Sequence, residues 1–141
     1  MEAMKLKESV IGIVLNHDGQ VLLLKSRHGF QIGWTLLKIE RTSTLQTDIE
    51  LIEAKLKSLF PTVHFTAIEK LSTESVYDFI KDNKPVKEKF IYYVAIIDGA
   101  QAPQDHPEYS LQWADIMHAK TILKYDAKML EEAINGQSNP L

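Results

Sequence analysis

The sequence predicts an α+β fold, a mixed and mainly antiparallel sheet with one central helix and further helices at its C-terminal end. Three observations predict it. Two β-branched runs flank an Asp18-Gly19 pair, a helical stripe of apolar residues runs through the middle, and Phe90–Ile97 (FIYYVAII) is an almost unbroken β-branched and aromatic stretch. With 141 residues the chain suits a single domain, 1–141, with 1–8 and 137–141 expected to be flexible ends.

The elements follow in order. Ser9–Leu15 and Gln20–Lys25 read as strands, and Asn16-His17-Asp18-Gly19 joins them as a hairpin, since glycine accepts the positive φ of a tight turn. Ser26–Gly33 is a polar loop, and Trp34–Leu37 a short strand. The central helix is expected over about 43–59. Ser43 and Gln46 have capping-box spacing, Leu45, Ile49, Ile52, Leu56 and Leu59 share one face, and Pro61 ends the pattern. Val63–Leu71 and Thr73–Ile80 read as extended, and Lys81–Pro85 as a turn. Phe90–Ile97 is the buried central strand, followed by a loop over Asp98–Pro107 and a last strand at Ser110–Trp113. Helices are expected at His118–Leu123 and Asp126–Ile134, with Gly136 as the stop of the second.

Composition removes several function classes. Sixteen Lys and Arg against nineteen Asp and Glu give a net charge of −3, so no general field exists for a nucleic-acid backbone. The chain has no cysteine, which excludes disulfides, thiolate metal sites and cysteine nucleophiles. The longest apolar runs, such as Val21–Leu24, are too short to span a bilayer, and Met1–Glu8 lacks a signal-peptide core. A cytoplasmic location is expected, with no membrane partner. The five histidines show no zinc spacing, no serine sits in a nucleophile elbow, and no glycine-rich phosphate loop exists.

The chemistry points to Gly33–Phe60 (GWTLLKIERTSTLQTDIELIEAKLKSLF). Trp34-Thr35-Leu36-Leu37-Lys38-Ile39-Glu40 followed by a helix of this length resembles the Nudix (MutT-like) hydrolase family. Its core pattern is G-x5-E-x7-R-E-U-x-E-E-x-G-U, U being bulky and apolar. Glu108-Tyr109-x-x-x-Trp113 is similar to an E-x-x-x-x-W pattern of that family, and Tyr77-Asp78 through Phe90–Ala95 is similar to its dinucleoside polyphosphate hydrolase branch. The resemblance implies a Nudix-like fold over about residues 9–134.

The resemblance also implies a degenerate site. Anchored on the helix, Ile52-Glu53 falls on the Arg-Glu pair, Leu56-Lys57 on the Glu-Glu pair and Leu59 on the glycine. Family carboxylates on that helix hold Mg2+ or Mn2+, which bind a diphosphate and activate water. Here Glu53 alone survives as a candidate catalytic carboxylate, and Lys57 stands i+4 from it, in the favourable order for an ion pair. A solvated surface pair is the plainer explanation of those two residues. Glu50 lies on the same side without matching a family ligand, and Glu74, Glu88 and Glu108 have no secure match to a further acid.

Lys38, Arg41 and Lys57 are the candidate phosphate-binding cations, and Tyr77 and Tyr92 the candidate base-stacking rings, although strand aromatics are more often core. No metal site and no cofactor are expected, with Mg or Mn required only by an active enzyme. The expected function is a Nudix-type protein with little or no hydrolase activity that binds a nucleotide, another small phosphorylated ligand, or a partner. Homodimers are common among Nudix-like domains. The alternatives are a divalent-cation-dependent hydrolase of a nucleoside diphosphate linked to another moiety, and a protein-interaction module.

Overall fold

The structure, a computed structural model, describes residues 5–26, 33–41, 45–60, 64–98, 108–123 and 126–137. The strands are β1 (Lys5–Leu15), β2 (Gln20–Ser26), β3 (Leu37–Glu40), β4 (His64–Lys81), β5 (Lys84–Asp98) and β6 (Tyr109–Asp115). The helices are α1 (Asp48–Leu59), α2 (Ile116–Ile122) and α3 (Ala127–Gln137). The sheet runs β4-β5-β1-β2-β6, with β3 also paired to β1. Among the described strands only β1 and β5 pair in parallel, so the sheet is mixed and mainly antiparallel.

The Asp18-Gly19 turn is present, with Gly19 at φ +75°. Buried Asn16 builds it: its Oδ1 accepts from the backbone N–H of Asp18 at 3.0 Å and of Gln20 at 2.9 Å. The hairpin pairs only at its base, Leu15 with Val21. Beyond that β2 diverges to pair with β6, and β3 takes its place beside Ser9–Gly12. Residues 5–8 belong to β1 and pair with Val86–Lys89 of β5.

Several element bounds differ from the sequence expectations. The short strand lies at 37–40 rather than 34–37, with Thr35 making only a bridge to Leu24. The two extended stretches 63–71 and 73–80 are one strand, β4, with a register shift between Lys70 and Glu74. It turns back through Asp82 and Asn83, both at positive φ, residue types that tolerate the left-handed region. The helix begins at Asp48 rather than near 43. Thr47 and Glu50 form the capping box, Thr47 Oγ1 accepting from Glu50 N at 3.1 Å and Glu50 Oε1 from Thr47 N at 3.0 Å.

Residue 43 lies outside the described residues, and Leu45 and Ile49 are exposed, so the buried stripe is Ile52, Leu56 and Leu59. At the C-terminal end α3 continues through Gly136 to Gln137. The expected loops at 27–32 and 99–107 lie outside the described residues.

The helices cover opposite faces of the sheet. Ile52, Leu56, Leu59 and Phe60 pack with Val10, Val14, Leu22, Leu37 and Tyr93. On the other face, Ala119, Leu123, Met129, Leu130 and Ala133 pack with Ile11, Ile13, Leu23 and Tyr92. Since strand side chains alternate, β1 sends odd-numbered residues to the α3 face and even-numbered residues to the α1 face. No described helix is long and apolar enough to cross a membrane.

Candidate functional site

Register brings one set of side chains together on the α3 face. Ser9 pairs with Phe90, Ile11 with Tyr92 and with Lys38, and Tyr77 with Glu88. Beside them opens a cleft of about 380 Å3 lined by Ile11, Thr35, Leu36, Lys38, Tyr77, Phe90, Tyr92 and Asp126. The Tyr77 and Phe90 rings lie 5.4 Å apart at 60°, a tilted pair that leaves ring surface facing the cleft. An apolar cleft with a few convergent polar groups is the usual form of a small-molecule site.

The polar groups are tied into the fold. Glu88 is buried, and its Oε2 accepts from Ser9 Oγ at 2.8 Å and lies 3.3 Å from Lys38 Nζ. That ammonium also sits 4.9 Å from the centre of the Phe90 ring. The pair holds Lys38 in the cleft wall, with its side chain still partly exposed. At the far end Tyr92 Oη donates to Asp126 Oδ1 at 3.2 Å. Burial pushes the Asp126 carboxyl above its ordinary range, against the pull of the Tyr92 hydrogen bond and the Lys38 charge. Burial likewise pushes the Tyr92 phenol upward, so it remains a proton donor at neutral pH.

A second, more polar cavity of about 200 Å3 lies beside β3 and α1. It is lined by Leu24, Thr35, Leu36, Leu37, Lys38, Glu40, Lys55 and Tyr109. Lys55, on α1, donates to Tyr109 Oη at 3.2 Å, with its nitrogen 4.7 Å from the ring centre. Glu40 is paired with Lys7 at 3.3 Å. Thr35, Leu36 and Lys38 line both cavities and form a common wall.

The expected site residues therefore separate. Tyr77, Tyr92 and Lys38 meet in the larger cleft. Arg41 is directed to α1, where it pairs with Asp48 and donates from Nη1 to the Gln46 carbonyl at 2.7 Å. Asp48 also accepts from Tyr93 Oη at 2.9 Å, so this cluster fastens the start of α1 to the sheet. Glu53 is half-buried and Lys57 exposed, and neither lines the two cavities. No ion pair joins them among the described residues.

Leu56 is wholly buried and Ala54 exposed, so position 56 faces the core and not an open edge. Phe90, Asp126, Lys55 and Tyr109 line the cavities without being among the site residues that the sequence singles out. The alternation of Phe90 with Tyr92 could have marked Phe90. The meetings of Lys55 with Tyr109 and of Tyr92 with Asp126 span 54 and 34 residues and leave no local pattern.

The donor set on α1 does not suit a hard divalent ion, which needs several oxygens. Of its three carboxylates, Asp48 is held by Arg41 and Tyr93, and Glu50 by the cap, leaving Glu53 beside Lys55 and Lys57. Among the described residues no group of three or more His, Asp or Glu is placed to hold a metal.

No family model and no curated protein matches this chain. Solved structures do. The Nudix domain of Shewanella oneidensis NrtR, complexed with ADP ribose, superposes with a TM-score of 0.69 at 18% identity, over 98% of this chain and 91% of that one. The Escherichia coli dihydroneopterin triphosphate pyrophosphohydrolase gives 0.68 at 12% identity, over 95% and 99%. A MutT protein from Methanosarcina mazei gives 0.66 at 15% identity, over 99% and 100%. The chain has the Nudix fold.

Proposed function

We propose that this Nudix-fold chain binds a nucleotide-like ligand and lacks metal-dependent hydrolase activity. The aromatic part occupies the cleft of Tyr77, Phe90 and Tyr92, and Lys38 stands where the ligand's polar portion leaves it. The fold supports the ligand class: the structural neighbours include a Nudix domain with ADP ribose and a triphosphate pyrophosphohydrolase. Of the three expected cations, Lys38 is the phosphate neighbour in this account, Arg41 and Lys57 being directed elsewhere.

The observation that carries the loss of hydrolysis is the side-chain set of α1. Burial favours a register two residues from the one read off the helix pattern. Wholly buried Leu56 then takes the bulky apolar position, Ala54-Lys55 the Arg-Glu pair, and Ser58-Leu59 the Glu-Glu pair. In either register at most one helix carboxylate remains where the family pattern has three. Missing ligands of this kind lower metal-dependent turnover by orders of magnitude.

The test is a panel of nucleosides, nucleotides and linked diphosphates, followed by calorimetry for binding and by product analysis with Mg2+ and Mn2+. Binding of adenosine or ADP that weakens in Tyr77→Ala, without turnover, is the expected result. Metal-dependent turnover abolished by Glu53→Gln establishes the hydrolase instead. Binding of no nucleoside or nucleotide removes the proposal.

A further inference from the structure

We propose that Asp126 reads the edge of the ligand's ring, so that the larger cleft prefers a nucleobase with an exocyclic amino group to the same ring without one. This rests on the nucleotide-type reading and names which end of that ligand is recognised, and by which atom. Three observations carry it.

The first is the hydrogen-bonding capacity left open beside Tyr92. Its phenol is satisfied by the Ser75 hydroxyl and by its own donation to Asp126 Oδ1 at 3.2 Å. Asp126 is the one carboxylate lining the cleft. Among the described residues its Oδ2 has no hydrogen-bond or ion-pair partner, Lys38 acting on it only as a more distant charge. That oxygen is not sealed from solvent, so a ligand can meet it. A carboxylate oxygen accepts and cannot donate, which calls for an N–H or O–H donor on the ligand.

The second is placement. Tyr92 forms the ring-lined wall together with Tyr77 and Phe90, and it also holds Asp126. The Asp126 carbonyl accepts from Leu130 N at 3.0 Å, which fixes the residue at the start of α3. A ring stacked on that wall brings its edge to Oδ2, while the sugar and phosphates leave past Lys38. An exocyclic amino group is the donor that such an edge carries.

The third is desolvation. Burial pushes the Asp126 carboxyl above its ordinary range, and an N–H donor at Oδ2 replaces the solvation that burial removes. A ring without the amino group covers the carboxylate and leaves it unpaired, the penalty by which polar sites reject analogues.

The experiment is calorimetric titration of the wild-type chain, Asp126→Ala and Asp126→Asn with adenosine, purine riboside, 2′-deoxyadenosine and ADP. Purine riboside lacks only the amino group of adenosine, and 2′-deoxyadenosine only a sugar hydroxyl. Thermal melts verify that each variant is folded. The wild type is expected to bind adenosine about tenfold or more tighter than purine riboside, and 2′-deoxyadenosine about as tightly as adenosine. The preference for the amino group is expected to vanish in Asp126→Ala and to persist, reduced, in Asp126→Asn, whose amide oxygen still accepts.

Equal binding of adenosine and purine riboside by the wild type, or a preference that survives in Asp126→Ala, overturns the Asp126 assignment and leaves the nucleotide reading intact. A weakening at 2′-deoxyadenosine that depends on Asp126 puts the carboxylate on the sugar and overturns the assignment alone. ADP binding without binding of any nucleoside also overturns only the assignment. Failure of all four compounds to bind overturns both.

Discussion

Replacing Leu56 decides which way the middle of α1 faces. Its side chain is 0% exposed and packs among Ile52, Leu59, Phe60, Val10 and Leu37. Leu56→Ala removes a fully buried isobutyl group from a packed interface, a change that costs about 3–5 kcal/mol. For a chain of this size each kcal/mol lowers Tm by roughly 2–4 °C, so a fall of about 10 °C or more is expected. Leu56→Glu adds the penalty of an unpaired buried carboxylate, several kcal/mol more. The sum approaches the whole stability of a typical domain, about 5–15 kcal/mol, so this variant is expected to be largely unfolded at neutral pH. Ser58→Glu, on an exposed position, is expected to melt near the wild type. Urea denaturation followed by circular dichroism, with Mn2+ titration of whatever folds, measures all three. A Leu56→Glu protein that melts within a few degrees of wild type and gains Mn2+ affinity refutes the assignment of this residue to the core.

Two further predictions concern the larger cleft. Lys38→Met leaves Glu88 buried with only the Ser9 hydroxyl; because the Lys38 side chain is 39% exposed, the expected cost is discounted to about 1–2 kcal/mol, and a second change, Glu88→Gln, is expected to restore most of it. Urea midpoints of the two singles and the double measure the coupling, and strictly additive changes contradict it. Asp126 has its folded-state pKa raised by burial, so its contribution favours folding at low pH and is lost as pH rises from its ordinary 3.8 through the folded value. Asp126→Asn is therefore expected to gain in stability relative to wild type across that range and to hold a constant margin at neutral pH. Paired melts from acid to neutral pH test this, and a margin that shrinks as pH rises contradicts it.

Much of the architecture was legible because it is written in short-range patterns. Asp18-Gly19, the β-branched runs and the Ile52–Leu59 spacing each specify a local conformation. The helix start was misplaced because Ser43-x-x-Gln46 and Thr47-x-x-Glu50 have the same spacing, and only the second lies where Arg41 and Tyr93 grip Asp48. The site was half legible. Tyr77, Tyr92 and Lys38 lie on strands whose alternation sends them to one face, so naming them together required only the right pairing. Arg41 looked like a site cation because it follows that short strand, yet the helix offers it a carboxylate first. Lys55 looked like any helix lysine, since its partner Tyr109 lies across the sheet.

The central proposal is that α1 carries too few oxygens for a divalent ion, with a lysine in place of one family carboxylate in either register. The most direct measurement is an Mn2+ titration of isotope-labelled protein, read as paramagnetic broadening of backbone amides. The amides of Glu53, Lys55 and Lys57 are expected to broaden no more than those of surface acids elsewhere, such as Glu74, without saturation. Selective, saturable broadening of those three amides, sharpened by an added nucleoside diphosphate, contradicts the account.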